Sequence, residues 1–456
     1  MKLGTLLAER ARKRFAFHPT QVVLFGYLAL ILSGAAILDT PLASADGKSI
    51  GFLNALFTAT SAVCVTGLTV VDTATAFTDF GRAVILLLIQ LGGLGIMAVA
   101  GLVGLTIFRR LSKRSSSLIS TEFRATVDGK GSIREMVGRI ALVVFAIEGV
   151  GALILMFWFG THYQMSIGES IWSGVFHAVS AFNNAGFSLY TDNLMQFVSD
   201  PVVNLTIAAL IIIGGLGFPV LIELRRVGFK PLKWTMHFKI VMVMTALLLV
   251  GGTVYIAILE WNNPGTLGAL EPSDRVLAAF FQSVQTRTAG FNSIDISAMH
   301  TETWFGMDIL MFIGAGPAGT GGGIKVTTFA VLLFIVITEL RGDAAVNIFG
   351  KRLSRAVHRQ AITIALLAVG VVMASTVFMQ LVTDIDLDRI FFEVLSAFAT
   401  VGLTTGITAT LPPAALINLI ALMIIGRIGT LTLGSALILK HRVLLYELPK
   451  ERPLIG

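Results

Sequence analysis

Ser61-Ala-Val-Cys-Val-Thr-Gly67-Leu68 recurs three more times in altered form. The other copies are Ser180-Ala-Phe-Asn-Asn-Ala-Gly186-Phe187, Val284-Gln-Thr-Arg-Thr-Ala-Gly290-Phe291 and Ser396-Ala-Phe-Ala-Thr-Val-Gly402-Leu403. Each closes a short apolar run, such as Phe52–Thr60 or Phe391–Ala399, with a glycine followed by Leu or Phe. The glycines stand 119, 104 and 112 residues apart. A small-residue cluster follows each one 24–28 residues later: Gly92-Gly93-Leu-Gly95, Gly214-Gly215-Leu-Gly217, Gly314-Ala-Gly316 and Gly426-Arg-Ile-Gly429. Self-similarity of this kind marks a structural unit used repeatedly.

The units lie in a very apolar chain. Of 456 residues 55% are hydrophobic and 13% charged, and the mean hydropathy is +0.83. Globular proteins carry about 25% charged residues. So little polar surface cannot cover a soluble fold of this size, which implies an integral membrane protein. Long apolar runs near 21–38, 83–108, 137–160, 202–222, 238–259, 304–338, 361–383 and 413–439 are of bilayer-spanning length, about 20 residues. Four shorter, more polar runs near 51–66, 169–185, 274–289 and 389–401 alternate with them and read as re-entrant. The order is long, short, long, four times over.

Charge fixes the orientation. With the N-terminus inside, after Lys2, Arg10, Arg12, Lys13 and Arg14, 27 of the 34 Lys and Arg fall inside and four outside (Lys48, Arg82, Arg275 and Arg389). Arg287, Lys325 and Arg427 fall within the membrane. Seventeen acids lie outside, nine inside, and Glu148 in a span. Basic loops mark the cytoplasmic side, so the net charge of +7 needs no nucleic-acid partner, and both termini are expected in the cytoplasm. Basic residues, an apolar run and Ala43-Ser44-Ala45 imitate a signal peptide, but removing them would break the first unit. Cys64 stands alone, which excludes an intrachain disulfide, and the seven histidines lack metal-ligand spacing.

Non-helical backbone at membrane depth is tolerated only where protein buries it or it lines a watery cavity. Four glycine-centred loops meeting on one axis could turn carbonyls inward to replace an ion's hydration shell. The preceding short helices would aim negative dipole ends at a cation. The glycine clusters in the second long runs are equally consistent with close helix packing.

With these loops and clusters in place, the chain resembles the superfamily of K+ transporters that includes bacterial Trk and Ktr and plant HKT proteins, and most of all the Ktr transmembrane subunits, since no extra pair of helices precedes the first unit. The resemblance implies an all-α polytopic membrane protein with four M1–P–M2 units in pseudo-fourfold arrangement around one central pore. The units would be 1–115, 116–233, 234–350 with an intramembrane gate loop at 314–328, and 351–456. It implies a K+ filter of Val65, Thr66 and Gly67, Asn184, Ala185 and Gly186, Thr288, Ala289 and Gly290, and Thr400, Val401 and Gly402, with K+ the only metal, held by carbonyls. Gly67 stands where Na+-transporting plant relatives have serine, which favours K+. No loop carries the full Thr-Val-Gly-Tyr-Gly of tetrameric K+ channels.

The third unit departs from the others. Gly314-Ala-Gly-Pro-Ala-Gly-Thr-Gly-Gly-Gly-Ile-Lys325 holds too many helix-breaking residues for a stable helix, so its second span is expected to be broken. By resemblance this stretch is a gate below the filter, made of Gly314, Gly316, Gly319, Thr320, Gly321, Gly322, Gly323 and Lys325 with Arg427; Thr327 and Thr328 are further candidates to hold it. A charge such as Arg427 in a span marks function or pairing. Arg287, three residues before Gly290, is expected behind the filter against an acid or a carbonyl. Gly314-Ala-Gly316-Pro-Ala-Gly319 also fits the dinucleotide fingerprint, but no strand precedes it.

The implied activity is Na+-dependent K+ uptake of the symport kind across a bacterial inner membrane. The implied partners are a second copy of the chain, with the C-terminal Leu454-Ile455-Gly456 at the dimer contact, and a cytosolic ring of KtrA regulatory subunits that bind ATP or ADP. No cofactor is expected in this chain itself, which contacts membrane lipid and no nucleic acid. The rival reading is an alternating-access cation transporter with broken helices, a class that usually shows inverted repeats; the four units here share one orientation. An enzyme would need a catalytic cluster at membrane depth, and none is present.

Overall fold

A computed structural model describes residues 19–112, 133–228 and 230–429, with side chains over 24–95, 138–228 and 230–429. The first unit contains α1 (Pro19–Leu38), α2 (Phe52–Val63) and α3 (Asp79–Ser112). The second contains α4 (Ile133–Thr161), α5 (Ile167–Phe182), α6 (Pro201–Leu216) and α7 (Phe218–Val227). The third contains α8 (Met236–Glu260), α9 (Pro272–Gln285), α10 (Thr301–Phe312) and α11 (Val326–Arg341), and the fourth α12 (Arg355–Val382), α13 (Leu387–Phe398) and α14 (Pro413–Ile428).

By length and hydropathy α4, α8 and α12 qualify alone as membrane spans, and the bent pair α6–α7 qualifies together. They expose apolar side chains, among them Leu153, Phe157, Val250, Ile258, Leu366 and Leu381. A helix this apolar on its outer face belongs in lipid, where its backbone bonds are satisfied internally.

Local chemistry sets the helix ends. Ser166 caps α5 in a reciprocal box with Glu169. Asp200 caps α6 through the Val202 and Val203 amides, with Pro201 in the first turn. At the C-terminal end of α8, Glu260 accepts from Asn263, Thr266, Thr303 and the His300 amide, so this buried carboxylate is fully satisfied.

Two expectations need correction. The run 202–222 is not one span: α6 and α7 meet at 96°, because Gly217 takes φ 90 and Pro219 follows it. A β-carbon on Gly217 would meet the Pro317 carbonyl, so the bend is packed against loop 313–325. The fold is not purely helical, since Asn347–Ile348 pairs antiparallel with Lys351–Arg352 in a two-residue hairpin. Of the acids that the charge count places outside, Asp308 and Glu393 are buried within α10 and α13, a burial that leaves the count itself untouched. The end of run 413–439 and residues 454–456 lie outside the described residues.

The packing closes on itself. The second long helix of each unit contacts the short helix of the next: α3 with α5, α6 with α9, α10 with α13, and α14 with α2. The four short helices therefore surround one axis, and their C-terminal ends meet there.

Candidate ion pathway

Each of the four loops makes the same backbone turn. Val65, Asn184, Thr288 and Thr400 take φ 56, 60, 66 and 50, and Gly67, Gly186, Gly290 and Gly402 take φ 97, 71, 75 and 95. The first position strains a side-chain-bearing residue, and only glycine adopts the second without penalty.

The turns form a closed ring. A β-carbon on Gly67 would meet the Ala185 carbonyl, one on Gly186 the Ala289 carbonyl, one on Gly290 the Val401 carbonyl, and one on Gly402 the Thr66 carbonyl. Each glycine thus abuts the carbonyl before the next glycine, in the order one, two, three, four, one. The hydroxyls of Thr66, Thr288 and Thr400 are buried and have no protein partner. The ring offers backbone oxygens and free hydroxyls and no carboxylate, a donor set for a weakly held monovalent cation. Among the described residues no group of three His, Cys, Asp or Glu side chains is placed to hold a metal.

Residues that the sequence reading did not assign hold the turns in place. Ser61 Oγ accepts from the Gly67 amide at 3.0 Å and Ser396 Oγ from the Gly402 amide at 3.1 Å. Ser180 donates to the Phe187 carbonyl at 2.8 Å. In the third loop Val284 takes the serine's place, and the neighbouring Gln285 accepts from the Phe291 amide at 3.1 Å. The signal was visible: three of the four loops begin with serine six residues before the glycine. Behind the second loop, Asn183 donates to Glu148 at 2.9 Å and to Gln90 at 3.0 Å, tying α5 to α4 and α3.

The glycine clusters serve close approach. A β-carbon on Gly92, Gly214 or Gly426 would strike the carbonyl of Val63, Phe182 or Phe398, each four residues before its loop glycine. The third unit differs, because there the helix is broken. After α10 the chain runs as a loop pinched at its base, where the Gly314 amide donates to the Ile324 carbonyl at 2.8 Å. The loop docks on the bend of α6: the Gly316 amide donates to Gly215 at 2.8 Å and the Thr320 amide to Gly214 at 3.2 Å.

Its far end lies under the ring. Thr320 Oγ1 is 2.8 Å from the Asn184 side-chain amide. Gly321 leaves no room for a β-carbon against Thr288 Oγ1, and Gly322 none against Thr400 Oγ1. Lys325 Nζ donates to the Gly321 carbonyl at 2.5 Å, and Arg427 donates to the Thr320 carbonyl. Arg287 lies behind the loop base, its guanidinium 3.4 Å from the Gly314 carbonyl. Among the described residues Arg287 and Arg427 meet backbone carbonyls and no acid.

A helical membrane protein with a ring of carbonyls on one axis and a loop beneath it has the build of a cation transport protein. Residues 12–442 match the TrkH family, described as cation transport protein. The chain is 40% identical over 429 residues to the Ktr system potassium uptake protein B of Bacillus subtilis, covering 94% of this chain and 95% of that one. It is 39% identical to the protein of the same name from Vibrio alginolyticus, covering 96% and 94%. With the potassium/sodium uptake protein NtpJ of Enterococcus hirae it shares 35% identity, covering 99% and 100%. The crystal structure of the potassium transporter TrkH from Vibrio parahaemolyticus has the same fold, with a TM-score of 0.74 at 19% identity over 94% of this chain and 86% of that one. The chain belongs to the TrkH family of cation transport proteins and is not an enzyme.

Proposed function

We propose that this chain is the ion-translocating subunit of a Ktr-type K+ uptake system in a bacterial inner membrane. The observation that carries the reading is the closed ring in which each filter glycine abuts the carbonyl before the next one. K+ sheds part of its hydration shell to the carbonyls of Val65 and Thr66, Asn184 and Ala185, Thr288 and Ala289, and Thr400 and Val401. The absence of a carboxylate from the ring keeps the ion weakly bound, as conduction requires.

Loop 313–325 is the gate. Thr320 touches the second filter loop, Gly321 the third and Gly322 the fourth, so flux requires this loop to withdraw. Lys325 and Arg427 hold it by its carbonyls and place positive charge on the ion's path. The likeness to uptake proteins of Ktr systems supports a second copy and a cytosolic nucleotide-binding KtrA ring as partners, with ATP or ADP on the ring. The printed name of the Enterococcus relative, potassium/sodium uptake protein, supports a Na+ requirement. Four units of one orientation favour a pore over alternating access.

The test is K+ uptake into cells that lack their own K+ transporters, comparing the chain, Gly290→Ser and empty vector, with and without Na+ and with the regulatory subunit co-expressed. Wild-type uptake with weakened K+ over Na+ discrimination in Gly290→Ser at equal expression supports the filter. A well-expressed wild type that moves no K+ overturns the reading.

A further inference from the structure

Two buried titratable side chains occupy the same place in the repeat and have no part in the pathway so far. His177 and Glu393 each stand nine residues before their filter glycines, Gly186 and Gly402, on α5 and α13, and both are fully buried. His177 Nδ1 faces the Ser173 carbonyl at 2.8 Å, and its Nε2 lies 3.1 Å from Ser188 Oγ, whose hydroxyl also donates to the Asn193 carbonyl at 3.1 Å. Glu393 accepts from Thr404 Oγ1 at 2.8 Å and also from the Thr408 hydroxyl.

Ser188 and Thr404 are themselves equivalent, two residues past the filter glycines. Each hydroxyl also receives the amide two residues further on, Tyr190 at 3.1 Å and Gly406 at 3.0 Å. So the same clasp is built twice from different chemistry: a short-helix side chain, a hydroxyl just beyond the filter, and a turn closed on that hydroxyl. His177 is steadied by Tyr190, whose ring stacks on it with centroids 5.1 Å apart. Units one and three carry no such clasp. Their matching short-helix residues are Thr58, which donates within its own helix to Asn54 at 2.9 Å, and Phe281, which has no polar side chain.

The ring order places units two and four across the axis from each other. We infer that His177 and Glu393 are specificity-determining positioning residues, which pin the second and fourth filter loops on the side away from the gate through Ser188 and Thr404. The filter is then held rigid along one diagonal and is softer along the other, a two-fold device in a four-unit pore. Discrimination between cations of different size depends on how far the ring yields, and a clasped diagonal resists yielding. Glu393 receives two hydroxyls, those of Thr404 and Thr408, where His177 Nε2 meets one, so the fourth loop is the stiffer of the two.

This rests on the proposed filter, and the experiment separates the two. Purified protein in liposomes is assayed for K+ and Na+ flux in the wild type, Thr404→Val, Thr404→Ser, Ser188→Ala and Glu260→Gln, with thermal stability measured for each. Loss of one hydrogen bond at the rim is expected to lower the K+/Na+ flux ratio about threefold or more in Thr404→Val and by less in Ser188→Ala. Thr404→Ser, which keeps the hydroxyl, should retain the wild-type ratio. Glu260→Gln, in a staple remote from the ring, should lower stability and leave the ratio unchanged. An unchanged ratio in both Thr404→Val and Ser188→Ala overturns the inference, as does an equal fall in Thr404→Ser. Thr404→Val is nearly isosteric and Ser188→Ala removes one atom, so if one fails to fold the other still decides. A wild type with no K+ preference overturns the filter reading itself.

Discussion

The guanidinium of Arg427, at the end of the last described helix, donates to the backbone carbonyl of Thr320, 107 residues earlier in the chain. This bond ties the fourth unit to the loop of the third at the point where that loop also reaches Asn184 of the second. Arg427 is buried, and it also lies against the Tyr27 hydroxyl of the first unit. It is therefore a costly buried charge whose bond to Thr320 holds the loop in place. Arg427→Ala should shift the gate toward open and raise K+ flux in the absence of the regulatory subunit. A charge-assisted bond contributes about 1.5–3 kcal/mol, or roughly 10- to 150-fold in the open fraction at most. Tracer uptake into liposomes tests this, and unchanged or lower flux from folded protein would count against it.

Thr320 makes a second bond, to the Asn184 side chain. Thr320→Val keeps the shape and removes the hydroxyl, leaving the buried amide one partner short. The expected result is a smaller gain in basal flux than in Arg427→Ala, about two- to tenfold. The two residues hold the same loop segment, so their effects should be non-additive. A double-mutant cycle on basal flux checks this, and strict additivity would show that the two bonds are not coupled.

Much of this arrangement is legible in the sequence, because the repeat is spelled out in glycines whose φ values no other residue adopts cheaply. The broken helix of the third unit is equally legible, since six glycines and a proline crowd residues 314–323. Other features have no local signature. The bend at Gly217 follows from the loop packed against it, which is long-range information. The burial of Asp308 and Glu393 depends on which face of a helix meets its neighbour. The partners of Arg287 and Arg427 are backbone carbonyls, which every residue carries, so no side-chain pattern could name them.

The glycines of the second long helices invite a packing test. Gly214 and Gly426 leave no room against the Phe182 and Phe398 carbonyls, whereas Gly251, on α8, has open space around it. Gly426→Ala and Gly214→Ala should each cost about 1–3 kcal/mol, the usual penalty of overpacking. Gly251→Ala should be neutral or slightly stabilising, because alanine is the better helix former. Thermal unfolding in detergent measures the order, and equal stability of all three would refute the close-packing account.

Gly402 and Gly406 separate strain from function within four residues of chain. Both take positive φ, 95 and 90. At Gly402 a β-carbon would strike the Thr66 carbonyl and crowd the Gly67 α-carbon at 3.0 Å, while at Gly406 nothing lies within 4 Å. Alanine at either site pays for left-handed backbone, about 1–2 kcal/mol. Gly402→Ala alone also pushes into the ring, between the Thr66 carbonyl and the proposed ion path. Gly406→Ala is therefore expected to lose stability and keep its K+/Na+ flux ratio, whereas Gly402→Ala should lose a comparable or greater stability together with the ratio. Flux ratios and unfolding temperatures for the two variants decide the matter. If Gly406→Ala lost selectivity as fully as Gly402→Ala, backbone strain anywhere in the loop would suffice, and contact around the ring would not be the cause of selection.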